Sequence, residues 1–211
     1  MIDSYITVSH NSREEIVISR SRFISYASPC FSEKEALAFL QQIRNEHKTA
    51  THHCFAYIIG ENSGIMRYSD DGEPGGTAGL PIMDVIRARN VVNCCIVVVR
   101  YFGGTLLGTG GLVRAYTQSA QAALYAAEMV RMEQTNTFQC ELAYSVWDKF
   151  RYAVDHLPVR IEDIQYGSQI SFRLLCRSCD NESVITRLQD ATERTGIFVP
   201  SDEIYCAWMI D

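Results

Sequence analysis

Two glycine-rich stretches decide how this chain reads. One is Ser69-Asp70-Asp71-Gly72-Glu73-Pro74-Gly75-Gly76-Thr77-Ala78-Gly79; the other is Arg100-Tyr101-Phe102-Gly103-Gly104-Thr105-Leu106-Leu107-Gly108-Thr109-Gly110-Gly111-Leu112-Val113-Arg114. Eleven of the thirteen glycines fall between Gly60 and Gly111. Such clustering points to backbone positions that need a positive φ or close approach by another group. Between the stretches lies Val91 to Val99, an apolar run carrying Cys94 and Cys95, which reads as a buried strand. Loop, buried strand, loop sets functional groups on a rigid floor.

Working outward, Leu80 to Ala88 has helical spacing, with Pro81 tolerated in the first turn. A long helix is predicted from Gly111 to about Arg131, its buried stripe running through Leu112, Tyr116, Ala120, Ala123, Leu124 and Ala127. Upstream, Tyr5 to Val8, Glu15 to Tyr26, His53 to Ile59 and Ile65 to Tyr68 read as strands. Ser32 and Glu35 have capping-box spacing ahead of a helix that ends near His47. Downstream, polar Glu133 to Asn136 marks a boundary between domains at 1–133 and 136–211. The second domain reads as strand (Thr137 to Tyr144), helix capped by Ser145 and Asp148, hairpin around Gly167-Ser168, helix from Asn181, and a last strand from Phe198. Strand-helix-strand-strand-helix-strand is the ferredoxin-like order, so the fold class is α+β.

A chain of 211 residues with 47% hydrophobic and 21% charged residues can bury a proper core. The formal charge is −6. It divides as −1 through Glu133 (12 Lys+Arg, 13 Asp+Glu) and −5 beyond (7 against 12). Net charge therefore gives no support to non-specific nucleic-acid binding, although a local basic patch remains open. Met1 to Tyr5 lacks the features of a secretion signal, and no apolar run approaches the roughly 20 residues of a membrane span. The eight scattered cysteines read as small core hydrophobes, and the chain as cytoplasmic and reduced.

The candidate chemistry gathers at the two loops. Gly103, Gly104, Gly110 and Gly111 leave backbone N–H groups bare near a helix N-terminus, where the dipole favours an anion. Arg100 and Arg114 would complete a phosphate or carboxylate clamp. The spacing is not that of a Walker A loop, and the bland reading is turns with tight helix–sheet packing. Asp70, Asp71 and Glu73 could hold magnesium or supply a base; turn chemistry explains them equally, and acidic and basic loops could pair across the sheet end. His52 and Cys54 share a strand face but fall short of a zinc site. Cys176-Arg177-Ser178-Cys179 is a Cys-x-x-Cys without a second pair. Ser69 has no nucleophile-elbow context. No catalytic residue, metal or cofactor is assigned.

Four segments carry a family resemblance. They are Arg22-Phe23-Ile24, His53-x-x-Ala56-Tyr57, Ser69-Asp70-Asp71-Gly72-Glu73-Pro74-x-Gly76-Thr77-Ala78-Gly79-x-Pro81, and Val99-Arg100-Tyr101-Phe102-Gly103-Gly104-x-x-Leu107-Gly108-x-Gly110-Gly111-Leu112-x-Arg114-Ala115-Tyr116. The chain resembles the bacterial branch of the IMPACT (YigZ) family over about residues 1 to 130. The resemblance implies an N-terminal domain like the second domain of ribosomal protein S5. It also implies a C-terminal ferredoxin-like domain similar to the last domain of elongation factor G. Eukaryotic relatives regulate translation under amino-acid starvation with an additional N-terminal domain for which this chain has no room. What carries over is a link to translation, with RNA or a ribosomal component as the expected partner. The alternative is an enzyme or sensor for a small phosphorylated or carboxylated ligand, with Asp70, Asp71 and Glu73 as base or metal site and Arg100 with Arg114 as clamp.

Overall fold

The computed structural model describes residues 4–209; residues 1–3, read above for a leader, and 210–211 lie outside them. Contacts divide the chain into one unit through Arg131, which also takes in Trp208, and a second over Met132–Ala207. The molecule is mixed α/β.

In the first unit, β1 (Ser4–Val8) is followed by β2 (Ser12–Ile18), β3 (Ser21–Pro29), α1 (Glu33–Glu46), β4 (His52–Ile59), β5 (Ile65–Ser69), α2 (Gly79–Ala88), β6 (Cys94–Tyr101) and α3 (Gly108–Ala126). Five of these strands form a sheet in the order β2-β3-β6-β4-β5, every neighbouring pair antiparallel. Side chains alternate across a pleated strand, and β6 sorts its residues accordingly. Cys94, Ile96 and Val98 join the core formed with Ile82 and Ile86 of α2 and Leu112, Tyr116 and Ala120 of α3. Cys95, Val97 and Val99 join the core under Ala36, Leu40 and Ile43 of α1. Burial on both faces is why the run is apolar without interruption.

The local signals explain most boundaries. Ser32 caps α1 as expected: its Oγ accepts from Glu35 N at 3.2 Å, while Glu35 Oε2 accepts from Phe31 N at 2.9 Å. Pro81 is the third residue of α2, inside the turn whose N–H groups have no helical acceptor. Helix α3 departs from expectation at both ends. It begins at Gly108, whose φ of 66° turns the chain into the helix, and it stops at Ala126. Glu128 then takes a φ of 52°, and Met129 already belongs to β7.

The second unit follows the strand-helix-strand-strand-helix-strand order read from the sequence. It comprises β7 (Met129–Leu142, which starts in the first unit), α4 (Tyr144–Val154), β8 (Val159–Tyr166), β9 (Ile170–Arg177), α5 (Asn181–Ala191) and β10 (Ile197–Met209). Its strands lie in the order β10-β7-β9-β8, over a core built around Phe138, Phe150, Phe172 and Leu188. Polar Glu133 to Asn136, read as a boundary, lies inside β7, just past the division of the units between Arg131 and Met132. One reading needs correction. Helix α4 starts at Tyr144 behind Ala143, with no side-chain cap, so Ser145 and Asp148 do not cap it.

Candidate binding cleft at the glycine-rich loops

The floor of the site follows from sheet register. In β4 and β6, His52 stands directly opposite Arg100, and in β3 and β6, Phe23 stands opposite Arg100. By alternation, His52, Cys54 and Arg100 all face α2 and α3. Arg100 is only 5% exposed and Glu73, from the loop before α2, only 8%. Arg100 Nη1 donates to Glu73 Oε1 at 2.7 Å, and Tyr116 OH of α3 donates to the same oxygen at 2.8 Å. Arg100 Nη2 lies 3.3 Å from Ser21 Oγ, which also accepts from Gly103 N at 3.1 Å. The guanidinium carbon sits 5.4 Å from the ring centre of Phe23 and 5.5 Å from that of Phe102, within cation–π range. Burial, then the nearby Cys54 and Glu73, hold the Tyr116 hydroxyl far above its ordinary pKa, so it stays a donor. A strand and a helix thus converge on a single carboxylate oxygen of the loop before α2.

The other two acidic residues are placed elsewhere. Both oxygens of Asp70 accept backbone N–H groups: Oδ1 from Ala78 and Gly79 at 2.9 and 2.8 Å, Oδ2 from Gly76 at 2.9 Å. This carboxylate caps α2, whose own N-cap residue Ala78 has no side-chain acceptor. Burial alone would raise the Asp70 pKa; the three backbone donors outweigh it and hold the group below its ordinary value. Asp71 Oδ2 accepts from His53 N at 2.6 Å, and its Oδ1 lies 3.5 Å from Arg44. Among the described residues no three His, Cys, Asp or Glu side chains come together in a way that could hold a metal ion. Cys54 lies 3.0 Å from Asp70 O and 3.4 Å from Tyr116 OH. Burial pushes its thiol pKa well up, which removes it as a nucleophile.

Above this floor opens a cleft of about 430 Å3, with His52, Glu73 and Arg100 at its base and Pro74, Phe102 and Leu106 on its walls. Gly108 and Thr109 of α3 also line it. Gly103 is required for the loop to reach its place, because a Cβ there would fall 2.1 Å from the backbone carbon of Arg20. Leu107 precedes α3 without a side-chain cap, so the first N–H groups of the helix have no acceptor from that residue's side chain. Gly111, as the fourth helical residue, lies where intrahelical bonding begins.

The structure therefore brings Arg100, Glu73, Gly103 and the start of α3 to one place. It puts Asp70 and Asp71 into fixed backbone contacts beside that place. Arg114 does not line the cleft; it is exposed on α3, between the buried Leu112 and Tyr116. Sequence reading missed Tyr116 as a polar member of the floor, since its position in an alanine-rich stripe signals packing. It also missed the capping role of Asp70, because a cap contributed from eight and nine residues upstream leaves no local spacing.

Comparison with known proteins gives two family matches: the Impact N-terminal domain over residues 19–124 and the domain of unknown function DUF1949 over residues 140–193. The IMPACT family member YvyE of Bacillus subtilis is 40% identical over 172 residues, which is 82% of this chain and 79% of that protein. YigZ of Escherichia coli is 42% identical over 128 residues, covering 59% of this chain and 63% of that one. Protein IMPACT-A of Xenopus tropicalis is 37% identical over 101 residues, 45% of this chain and 31% of its own length. A crystal structure described as that of a hypothetical protein matches 96% of this chain and 99% of its own, with a TM-score of 0.61 and 28% identity. Among the described residues no helix is long and apolar enough to cross a membrane.

Proposed function

Because this chain belongs to the IMPACT family, we propose that it is a cytoplasmic, translation-associated regulatory protein that binds RNA or a ribosomal component through its glycine-rich loops. The observation behind this reading is where the cleft sits. Every residue lining it, from Thr51 to Leu112, falls inside the Impact N-terminal match at 19–124. The rim carries exposed apolar side chains, Leu106 at 87% and Phe102 at 47%, and Arg20 and Arg114 of the same unit are exposed as well. On this reading Arg100, Gly103, Gly104, Gly110, Gly111 and Arg114 form the contact side, while Asp70, Asp71 and Glu73 hold it in shape. Residues 1–133 are the S5 domain 2-like unit and residues 136–211 the ferredoxin-like unit.

Co-sedimentation with purified bacterial ribosomes and with ribosomal RNA tests the proposal. The native protein should pellet with one of them. Phe102→Ala combined with Leu106→Ser, which alters only partly or largely exposed side chains, should release it. A native protein that stays in the supernatant with both ends the reading.

A further inference from the structure

We propose that the cleft is a nucleotide subsite, taking one nucleotide with its base against Phe102 and its phosphate at the N-terminus of α3. This rests on the reading just given, that the glycine-rich loops are the binding surface, and adds what enters them.

The floor presents an unanswered donor. Arg100 lines the cleft, is 5% exposed, and its Nε is buried with no hydrogen-bond partner. A guanidinium carries five N–H donors, and here only Nη1 and Nη2 are matched, to Glu73 and Ser21. Buried polar groups without partners are rare in folded proteins, and one that borders a cleft can be answered by what enters it. Next to that donor is an acceptor. Arg100 and Tyr116 both reach Oε1 of Glu73, and no described residue donates to Oε2. A donor beside an acceptor on a cleft floor matches the hydrogen-bonding edge of an unpaired base. Because Glu73 and Arg100 neutralise each other, the floor favours a neutral polar edge over a free anion.

The walls suit the rest of the base. Phe102 is half-exposed beside Pro74 and Leu106, and an accessible ring among apolar side chains is a stacking platform for any base. The remaining end suits a phosphate. Gly108 lines the cleft at the uncapped start of α3, and a Cβ built at Gly108 or Gly110 would meet nothing within 4 Å. The first N–H groups of the helix have no intrahelical acceptor, and the dipole favours an anion there. Arg114 is one turn on from Gly110, on the same helix face. The site needs no overall basic charge, because its pull on phosphate is local.

The same chemistry is offered by a free mononucleotide and by a nucleotide within single-stranded RNA. Titration calorimetry on the full chain, with AMP, GMP, CMP and UMP and with decamers of rA and rU, separates the two. Binding at least tenfold tighter to a decamer than to its mononucleotide identifies the RNA strand; equal binding identifies the free nucleotide. Phe102→Ala should weaken either by roughly 5- to 150-fold, the range for losing one stacked base. Gly110→Asp puts a carboxylate in the first turn of α3, where the dipole accepts it and the chain still folds. It should abolish AMP binding and leave adenosine binding unchanged. The proposal is overturned if no probe binds the native protein at millimolar concentration, or if both variants bind like the native protein. Ribosome co-sedimentation by the native protein, with no binding of any nucleotide or decamer, would keep the translation reading while removing this subsite.

Discussion

Substituting the two halves of the Glu73–Arg100 pair, singly and together, asks whether the loops are held by this contact. Both partners are buried, at 8% and 5% exposure, so solvent screening does little to weaken the pair. In Arg100→Leu the apolar volume is largely kept, and Glu73 is left with the Tyr116 hydroxyl at 2.8 Å and His52 Nε2 at 3.8 Å. In Glu73→Leu the guanidinium loses its counter-charge and keeps the 3.3 Å contact with Ser21 and the rings of Phe23 and Phe102. Stripping the partner from a buried charge costs about 3–5 kcal/mol. At roughly 2–4 °C per kcal/mol for a chain of this size, each single variant should melt roughly 6–20 °C lower. The double variant Glu73→Leu with Arg100→Leu removes both charges together, and such replacements are often neutral or stabilising. It should lie within about 2 kcal/mol of the native chain, leaving a coupling energy of about 3 kcal/mol or more. Urea unfolding followed by far-ultraviolet circular dichroism measures all four corners of the cycle. Single variants that each cost under about 1 kcal/mol, or effects that add to within about 0.5 kcal/mol, would refute the reasoning.

Three further outcomes are expected. Gly103→Ala forces a Cβ to within 2.3 Å of the Arg20–Ser21 backbone, and overpacking against backbone should cost about 3 kcal/mol, read as a lowered urea midpoint. Asp70→Ala orphans three backbone donors and should cost about 3 kcal/mol; because the folded Asp70 pKa is depressed, its contribution is complete above the ordinary carboxylate range and disappears as pH falls through the folded value. Comparing acid unfolding of the native chain with Asp70→Asn checks this, and the variant should show the flatter acid limb. His47 is held below its ordinary pKa chiefly by burial, partly offset by Glu46. The unfolded chain therefore binds its proton first, so stability should fall as pH drops below about 6.5, a slope that His47→Gln should reduce.

Much of the fold was legible because its signals are short-range. Continuous apolarity from Cys94 to Val99 identified a strand covered on both faces, and Ser32 with Glu35 marked the start of α1. What misled was context. Polar Glu133 to Asn136 reads as a domain boundary, which leaves open what backbone it carries; a strand can hold polar residues wherever one side is exposed, and β7 runs straight through them. The glycines at 108, 110 and 111 likewise suggested that α3 begins late; Gly108 is itself the helix start, since glycine accepts the positive φ that entry requires.

The site was legible in kind but not in pairing. Clustered acids and arginines beside glycine loops pointed to one locality, and Glu73 with Arg100 realises the pairing of acidic and basic loops across the sheet end. Which acid would pair with which base was beyond reach, because three carboxylates within four residues have identical local chemistry. The sheet register decides it. Arg100 faces α2 and α3 by parity with Val98, and there Tyr116 completes the acceptor's coordination. Once Glu73 is fixed between strand and helix, the neighbouring Asp70 is the carboxylate left to cap α2. Arg114, two residues from a buried position on a helix, has to face outward. The same rules of alternation and helical period that fix the fold therefore divide the acidic loop into one residue that ties the cleft together and others that hold the backbone around it.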